Sequence, residues 1–404
     1  MSSTLPLVEE TKFLIPVVTI LGITVIFTIL TVLLKIKIIP TFVLEIFIGI
    51  ILKQIFYDSS FKIQYDSIIE VMYSIGFIFI MFLSGYDNNL YLIKQERNNY
   101  NNMNIRKISI IFLILIYLIS FLLSILLIKY YYNKLYGIIL LTITISSTFA
   151  GVVIPLIKSN NLLNTLSGKF ITYFSTISEL TSIILLTILM ILVNVNAIKL
   201  TGFLLLVLLF LLIWLINNIT KNSTKKITEG FTFISLRIII VFLGISVILC
   251  EFIGGEYVLG AFLLGMFLKK INFNENEIEK IESFCYGFFA PVFFVLVGAK
   301  LDVRLLIINP KNMVIVLLLT IMFVLSKFPI LYLIKSFNKK DVVAILALTT
   351  CTLIVGLAVS HFGIANNIFS GDFGECIIFS SIITCVISSV IYEKITDNNI
   401  NENT

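Results

Sequence analysis

The sequence predicts an all-α membrane protein of about thirteen transmembrane helices, built as six-helix inverted repeats with two crossing discontinuous helices. Three observations lead to this prediction: the composition, the lengths of the apolar segments and a series of repeated short motifs. The 404 residues are 59% hydrophobic and 13% charged, whereas soluble globular chains contain about 25% charged residues. The bilayer and helix–helix packing must therefore provide the apolar environment of this chain.

The apolar segments have the length that a helix needs to cross a bilayer. About 20 apolar residues span the hydrocarbon core, and segments near this length, numbered here one to thirteen, recur along the chain. In order they cover residues 13–34, 38–56, 68–89, 108–128, 136–157, 170–193, 199–218, 231–252, 256–268, 284–299, 312–334, 341–361 and 373–392. Segment one is too long for the apolar region of a signal peptide, so we interpret it as a membrane helix.

Basic residues divide the loops into two sets. Alternate loops, counted from the N-terminus, contain nine lysines and arginines, and the other set contains nineteen. Because loops rich in basic residues stay in the cytoplasm, we predict that the N-terminus is outside and the C-terminus inside. The formal net charge of +6 then reflects orientation, and no nucleic-acid partner is expected.

Short motifs recur seven segments apart. Gly49 in segment two corresponds to Gly265 in segment nine, and Gly85 in segment three corresponds to Gly298 in segment ten. Because seven crossings are an odd number, the two copies have opposite orientations in the membrane. Secondary transporters have inverted repeats of this kind, with sites near the midplane. Segment seven would link the two halves.

A single transmembrane domain is predicted over residues 1–394. We expect no soluble domain in residues 395–404, which form a short, Asn-rich polar tail that we expect to be disordered. The acidic stretch at residues 275–279 is predicted to be a solvated cytoplasmic loop.

Segment five contains a polar stretch at membrane depth. Its hydroxyl residues are Thr142, Thr144, Ser146, Ser147 and Thr148, and Gly151 and Pro155 follow. Glycine and proline weaken helices, and unwound backbone at this depth must line a cavity or be buried in protein. Alternatively, the hydroxyls bond to their own helix and the proline only ends it. Because segment twelve has a matching stretch at residues 349–352, we predict that two broken helices cross.

Glu179 is the only charged residue in segment six. A carboxylate at membrane depth costs several kcal/mol unless it faces water, a partner or the protein interior. Its helix face carries further hydroxyl residues, which are Thr172, Ser175, Thr176 and Ser182. Such a carboxylate can hold either a proton or a cation, which is the minimal requirement for exchange. The alternative is an ion pair that only holds helices together.

Lys327 lies too deep in segment eleven to reach the interface easily, so we expect it to have a partner. Glu179 is the first candidate for this partner, and Glu45 in segment two is the alternative. Glu45 could also line an interface between moving parts or serve packing alone.

The five cysteines lie in or beside apolar segments, and none forms a Cys-x-x-Cys pair. We therefore predict small buried side chains rather than a metal site or a disulfide framework. No cofactor is expected.

Four stretches resemble motifs of the monovalent cation:proton antiporter superfamily, in the branch of bacterial sodium–proton exchangers and potassium-efflux proteins. They cover residues 82–87, 146–158, 259–265 and 289–302, and the resemblance extends over nearly the whole chain. It implies a homodimer in the plasma membrane of a prokaryote that works by an elevator-like movement. A core bundle (residues 108–193 and 312–392) would move against a dimerisation scaffold (residues 13–89 and 199–299).

The resemblance also implies roles for individual residues. Glu179 takes the position of the essential carboxylate that binds Na⁺ (or K⁺ or Li⁺) or a proton, and Ser178 takes that of a neighbouring Asp or Asn. Ser147 and Thr148 would add oxygen ligands. Lys327 takes the position of the family's buried basic residue and would compensate charge. Thr352 and Glu45 are accessory candidates.

Ser178 cannot carry charge, so the simplest prediction is electroneutral exchange of one cation for one proton. A potassium-efflux exchanger and a sensor or assembly subunit that has lost transport remain as alternatives. A membrane enzyme would need an acid–base constellation, typically histidine with Asp or Glu, and the chain contains a single histidine, His361.

Overall fold

The computed structural model describes most of the chain outside segments one and seven. The described residues are 41–56, 61–87, 105–130, 132–160, 162–163, 165–193, 234–253, 257–270, 275–301, 303, 309–333 and 338–403, with residues 18, 21–26 and 29. Their regular structure is helical, so the all-α class is confirmed. Within this part, seven helical stretches are long and apolar enough to cross a membrane. The total of thirteen stays a prediction, because segment seven and most of segment one lie outside the described residues.

The helices are numbered in chain order. They are α1 (Thr41–Phe56), α2 (Phe61–Tyr86), α3 (Ile105–Ile125), α4 (Lys134–Ser146), α5 (Ala150–Ser159), α6 (Leu166–Val193), α7 (Ile234–Ile253), α8 (Tyr257–Lys270), α9 (Glu275–Phe284), α10 (Ala290–Lys300), α11 (Pro310–Ser326), α12 (Ile330–Leu333), α13 (Lys339–Thr349), α14 (Ile354–Ala365) and α15 (Gly371–Asn403). A π-helical turn at Cys285–Phe289 joins α9 to α10.

Two of the sequence predictions about polar stretches are wrong. The acidic residues that we expected in a loop form α9, which continues through the π-helical turn into α10. The Asn-rich tail extends α15 to Asn403 instead of being disordered. In both places polar residues continue a helix that an apolar neighbouring segment has already started, and adding residues to an existing helix is easier than starting one.

The two predicted discontinuous helices are present. Residues 147–149, named here the first break, separate α4 from α5, and residues 350–353, the second break, separate α13 from α14. The hydroxyls of Ser146 and Ser147 donate back to carbonyls of α4, at 3.0 and 2.8 Å, so local bonds help to end the helix there. Pro155 lies inside α5 and does not form the break.

The two breaks contact each other directly. The Phe149 amide donates to the Cys351 carbonyl at 2.7 Å, and the Thr148 hydroxyl donates to the Thr349 carbonyl at 2.7 Å. In the other direction, the Thr352 hydroxyl donates to the Ser147 carbonyl at 3.0 Å. These bonds satisfy backbone groups that the interrupted helices leave open. The crossing that the sequence predicts is therefore confirmed.

The described residues fall into two compact units. One lies within Met1–Ile80 and Glu279–Val303, and the other lies within Met81–Ile278 and Arg304–Thr404. The first unit is centred on the packing of α1 against α10, and the second contains both breaks and α6. The division into core and scaffold that the resemblance implies stays a prediction.

The repeated glycines mark one close helix crossing in each unit. In the first unit, Gly298 packs against the backbone of Ile46 and Gly49. In the second unit, Gly265 packs against the backbone of Phe82 and Gly85. The sequence matches Gly49 with Gly265 and Gly85 with Gly298. The two crossings are therefore made by corresponding glycines of the two repeats. Each glycine is needed because a Cβ atom would collide with the facing backbone.

Candidate functional site

The carboxylate of Glu179 lies in the interior of the second unit. Its side chain is 1% exposed, and Oε2 accepts two hydrogen bonds, from the Ser84 hydroxyl and from the Ala150 amide, each at 3.1 Å. Ser84 belongs to the end of α2, and Ala150 is the first residue of α5. Three helices thus define the position of this one oxygen atom.

The other carboxylate oxygen of Glu179 has a different environment. Oε1 is buried, and among the described residues no donor lies within hydrogen-bonding distance of it. A buried carboxylate oxygen that accepts nothing is unfavourable by about 1–3 kcal/mol or more. A bound proton or a bound cation would each remove this penalty.

Glu179 also completes the start of α5. The residue at the N-cap, Phe149, has no side-chain acceptor and makes no capping bond. The carboxylate of Glu179 takes this place by accepting from the first amide of the helix. Since the N-terminal end of a helix carries a partial positive charge, α5 provides electrostatic support for a carboxylate at this position.

Ser178 and Lys327 lie on the other side of the first break. The Ser178 hydroxyl donates to the Ser146 carbonyl at 3.0 Å. The Lys327 ammonium donates to the same carbonyl at 2.8 Å and to the Ser147 carbonyl at 3.2 Å. These carbonyls end α4, where the helix dipole is negative. The ammonium, which is fully buried, therefore has backbone oxygens as its partners.

The expected pairing of Lys327 with Glu179 is absent. Among the residues that the structure describes, the two side chains form no ion pair. Lys327 is also not in the middle of a helix, since α11 ends at Ser326 and a turn at residues 327–329 follows. Pro329 explains this turn, because proline lacks an amide donor and disfavours helix in the residue before it. The turn directs Lys327 to the first break.

The other predicted ligands are at the crossing, but their hydroxyl protons are already used. Ser147 donates to the Thr144 carbonyl. Across the crossing, Thr148 donates to the last carbonyl of α13, and Thr352 donates to the Ser147 carbonyl in the first break. Their oxygen lone pairs are still available to a cation. The hydroxyls of Thr172, Ser175 and Thr176 donate to carbonyls of their own helix, α6.

Glu45 lies on α1, in the first unit, and is 8% exposed. An accessory role for Glu45 stays a prediction.

Sequence reasoning missed Ser84 as a site residue. The serine lies within a motif that carried the family resemblance, but nothing in a linear pattern shows that it contacts a carboxylate 95 positions away. The same motif contains Asp87, which forms an ion pair with Lys158 at 3.0 Å. Ser84 and Asp87 are three residues apart and share a face at the end of α2. That face contacts α6 through Glu179 and α5 through Lys158.

Comparison with known proteins agrees with this architecture. The sequence model of the transmembrane sodium/hydrogen exchanger family matches residues 21–395. The candidate Na⁺/H⁺ antiporter YjbQ of Bacillus subtilis is 26% identical over 88% of this chain, and the chain spans 59% of the length of that relative. The candidate Na⁺/H⁺ antiporter 3 of Methanocaldococcus jannaschii is 24% identical over 82% of this chain and 85% of that protein.

A solved structure has the same fold. The sodium proton antiporter MjNhaP1 from Methanocaldococcus jannaschii, determined at pH 8, aligns with a TM-score of 0.61 at 18% identity. The alignment covers 94% of this chain and 96% of that chain.

Proposed function

The chain belongs to the sodium/hydrogen exchanger family, and on this premise we propose that it exchanges a monovalent cation for a proton across a membrane. Glu179 is the shared binding group. Its deprotonated form binds Na⁺, or another alkali cation, and its protonated form carries the proton. The relatives named above support this proposal, because their names describe exchange of Na⁺ for H⁺.

The observation that carries the proposal is the asymmetry between the two oxygens of Glu179. Oε2 is held by Ser84 and Ala150, while Oε1 is buried without a donor in the described part of the protein. Because Oε2 fixes the position of the carboxylate, Oε1 can take a ligand without a rearrangement of the side chain. Hydroxyl and carbonyl oxygens, which are hard ligands suited to alkali cations, are abundant at the crossing.

We further propose that the exchange is electroneutral. A bound monovalent cation and a bound proton each add one positive charge, which neutralises the Glu179 carboxylate. Ser178 carries no charge, and the Lys327 ammonium bonds to the last carbonyl of α4 and to the Ser147 carbonyl rather than to Glu179. One cation therefore replaces one proton. On the family resemblance alone, we extend the proposal to elevator-type alternating access by a homodimer.

Flux in proteoliposomes tests the proposal. Purified protein is reconstituted with a pH-sensitive dye inside, and inward gradients of Na⁺, K⁺ and Li⁺ are applied in turn. We expect at least one cation to drive proton efflux, and we expect Glu179→Gln to abolish it. The amide of Gln keeps the shape of the side chain. It does not take up and release a proton, and it has no negative charge to balance a bound cation.

Glu279→Gln is the matched control, because Glu279 is an exposed glutamate on α9. It should transport like the unmodified protein. Undiminished flux in Glu179→Gln would refute the role of Glu179. No response to any of the three cations would instead favour a protein that keeps the fold without transport.

A further inference from the structure

Two cysteine side chains meet where the second break packs on α15. The sulfur atoms of Cys351 and Cys385 lie 3.1 Å apart, and both residues are 0% exposed. Cys351 belongs to the second break, and Cys385 lies in the middle of α15. Neither cysteine has a role in the proposed binding of cations and protons.

The distance is suitable for oxidation to a disulfide. The sulfur atoms of a disulfide are about 2.05 Å apart, so the two thiols must approach by only about 1 Å. Cys376 provides a comparison on the same helix, because its sulfur faces the Asn312 carbonyl at 3.6 Å instead of a second thiol. On α15, Cys385 therefore contacts a second thiol, whereas Cys376 contacts a backbone carbonyl.

We propose that Cys351 and Cys385 form an oxidative modification site, a dithiol that a two-electron oxidant converts to a disulfide. A hydroperoxide or an azodicarboxamide such as diamide would serve as the oxidant. One thiolate attacks the electrophilic oxygen or nitrogen, and the second thiolate attacks the resulting sulfur adduct. The S–S bond forms and the two thiol protons pass to the reduced oxidant. A hydroperoxide leaves as its alcohol and one water molecule (two water molecules from hydrogen peroxide), and diamide leaves as the hydrazine.

The disulfide would act directly on the crossing. The carbonyl of Cys351 accepts the Phe149 amide at 2.7 Å. The next amide in the chain, that of Ala150, donates to Glu179. Drawing Cys351 toward α15 would therefore pull on the contact between the two breaks and on the amide that supports the carboxylate. We expect exchange to slow, because the carboxylate would lose part of the hydrogen bonding that supports its charged form.

Counting thiols tests the modification without any transport measurement. The protein in membranes is treated with diamide, denatured and reacted with a polyethylene-glycol maleimide, which adds one large group to each free thiol. The chain has five cysteines, so we expect five additions before oxidation and three afterwards. Mass spectrometry of a non-reduced digest should identify a peptide that joins residues 351 and 385.

Two single variants show whether the correct pair reacts. Cys385→Ser removes one partner, so four additions should remain before and after diamide. Cys376→Ser removes a neighbouring buried cysteine of α15 but keeps the pair, so four additions should fall to two. The proposal would be overturned if the wild type still took five additions after prolonged treatment with diamide, both in membranes and in detergent. A loss of two thiols in Cys385→Ser would also overturn it.

The effect on transport is measured separately and rests on the proposed function. In proteoliposomes, diamide should lower cation-driven proton flux by about tenfold in the wild type, and a phosphine reductant should restore it. Flux through Cys385→Ser should not respond to diamide. A disulfide that forms without changing the flux would overturn the coupling to the crossing. A protein without flux under any condition would contradict the proposed function but not the thiol count.

Discussion

Ser178 and Lys327 donate to the same oxygen atom, the carbonyl of Ser146, at 3.0 and 2.8 Å. The two side chains come from α6 and from the turn after α11, and they meet at the C-terminal end of α4. In the family resemblance, the position of Ser178 holds Asp or Asn. The Ser178 hydroxyl contacts the C-terminal end of α4 but adds no charge there.

A carboxylate at position 178 should make exchange depend on the membrane potential. Because Ser178 and Lys327 share one acceptor, their polar atoms are within about 6 Å of each other, a range over which a buried carboxylate and an ammonium interact strongly. In Ser178→Asp, a second titratable group joins Glu179, so more than one proton can move for each cation. Flux in proteoliposomes with a clamped potential should then follow the potential.

Ser178→Asn is the matched control for this substitution, since it has nearly the same size as Asp and no charge. Its flux should be independent of the potential, as we expect for the unmodified protein. Potential-driven flux in the unmodified protein would contradict the electroneutral proposal.

Removing the buried ammonium should weaken the fold around the first break. In Lys327→Met, the Ser146 carbonyl keeps Ser178 as a donor and the Ser147 carbonyl keeps Thr352, so the protein should still fold. Loss of a charged donor should lower the stability by about 1–3 kcal/mol. Thermal unfolding in detergent measures this loss. Lys311→Met, an exposed change in the first turn of α11, should leave the unfolding temperature unchanged.

Loss of the Ser84 hydroxyl should weaken cation binding. In Ser84→Ala, Oε2 of Glu179 keeps only the Ala150 amide, so the charged carboxylate that binds the cation loses one of its two donors. A hydrogen bond to a charged group contributes about 1.5–3 kcal/mol, so the half-maximal cation concentration should rise by about ten- to hundredfold. Ser120→Ala is the control, because Ser120 is buried on α3 and its hydroxyl has no partner in the described structure. An equal rise in both variants would indicate a general packing effect.

The close approach of α2 and α8 should be required to keep Ser84 in place. In Gly85→Ala, the new methyl group would collide with the Phe262 carbonyl oxygen, so the helices must separate and Ser84 must shift relative to Glu179. We expect a lower unfolding temperature together with a higher half-maximal cation concentration. Gly244→Ala in α7 meets nothing within 4 Å and should be neutral or slightly stabilising, since alanine favours helix over glycine by about 1 kcal/mol. Equal destabilisation by the two changes would argue against the packing explanation.

Much of the architecture could be predicted, because its signals are local in the chain. The length of the apolar segments identified the membrane helices of the described part. For most segments, the predicted ends differ from the ends of the helices by a few residues. The hydroxyl-rich stretches in segments five and twelve identified both breaks. The four glycines were matched in sequence before their contacts were known, and each one lies at a crossing where backbone meets backbone. The two polar stretches that were predicted wrongly continue helices whose apolar parts are in the membrane.

The site was predictable only in part. The sequence identified Glu179 as a buried charge and Lys327 as a second one, and burial of both is what the structure shows. It did not identify their partners. Two opposite charges in one membrane domain suggest an ion pair, but the polar ends of the interrupted helices provide each charge with backbone groups. The amide of Ala150 and the carbonyls of Ser146 and Ser147 take this role.

The sequence by itself determined that the chain is a helical membrane protein with two polar breaks and one carboxylate at their depth. Hydropathy, helix-breaking residues and the cost of a buried charge depend on neighbouring residues, so a linear pattern contains them. Only the tertiary structure decided that Ser84 holds Glu179, that Lys327 bonds to the first break and that Cys351 touches Cys385. These partners lie 95, 181 and 34 positions apart in the chain. Contacts over such separations depend on how helices cross, which side-chain type and spacing do not specify.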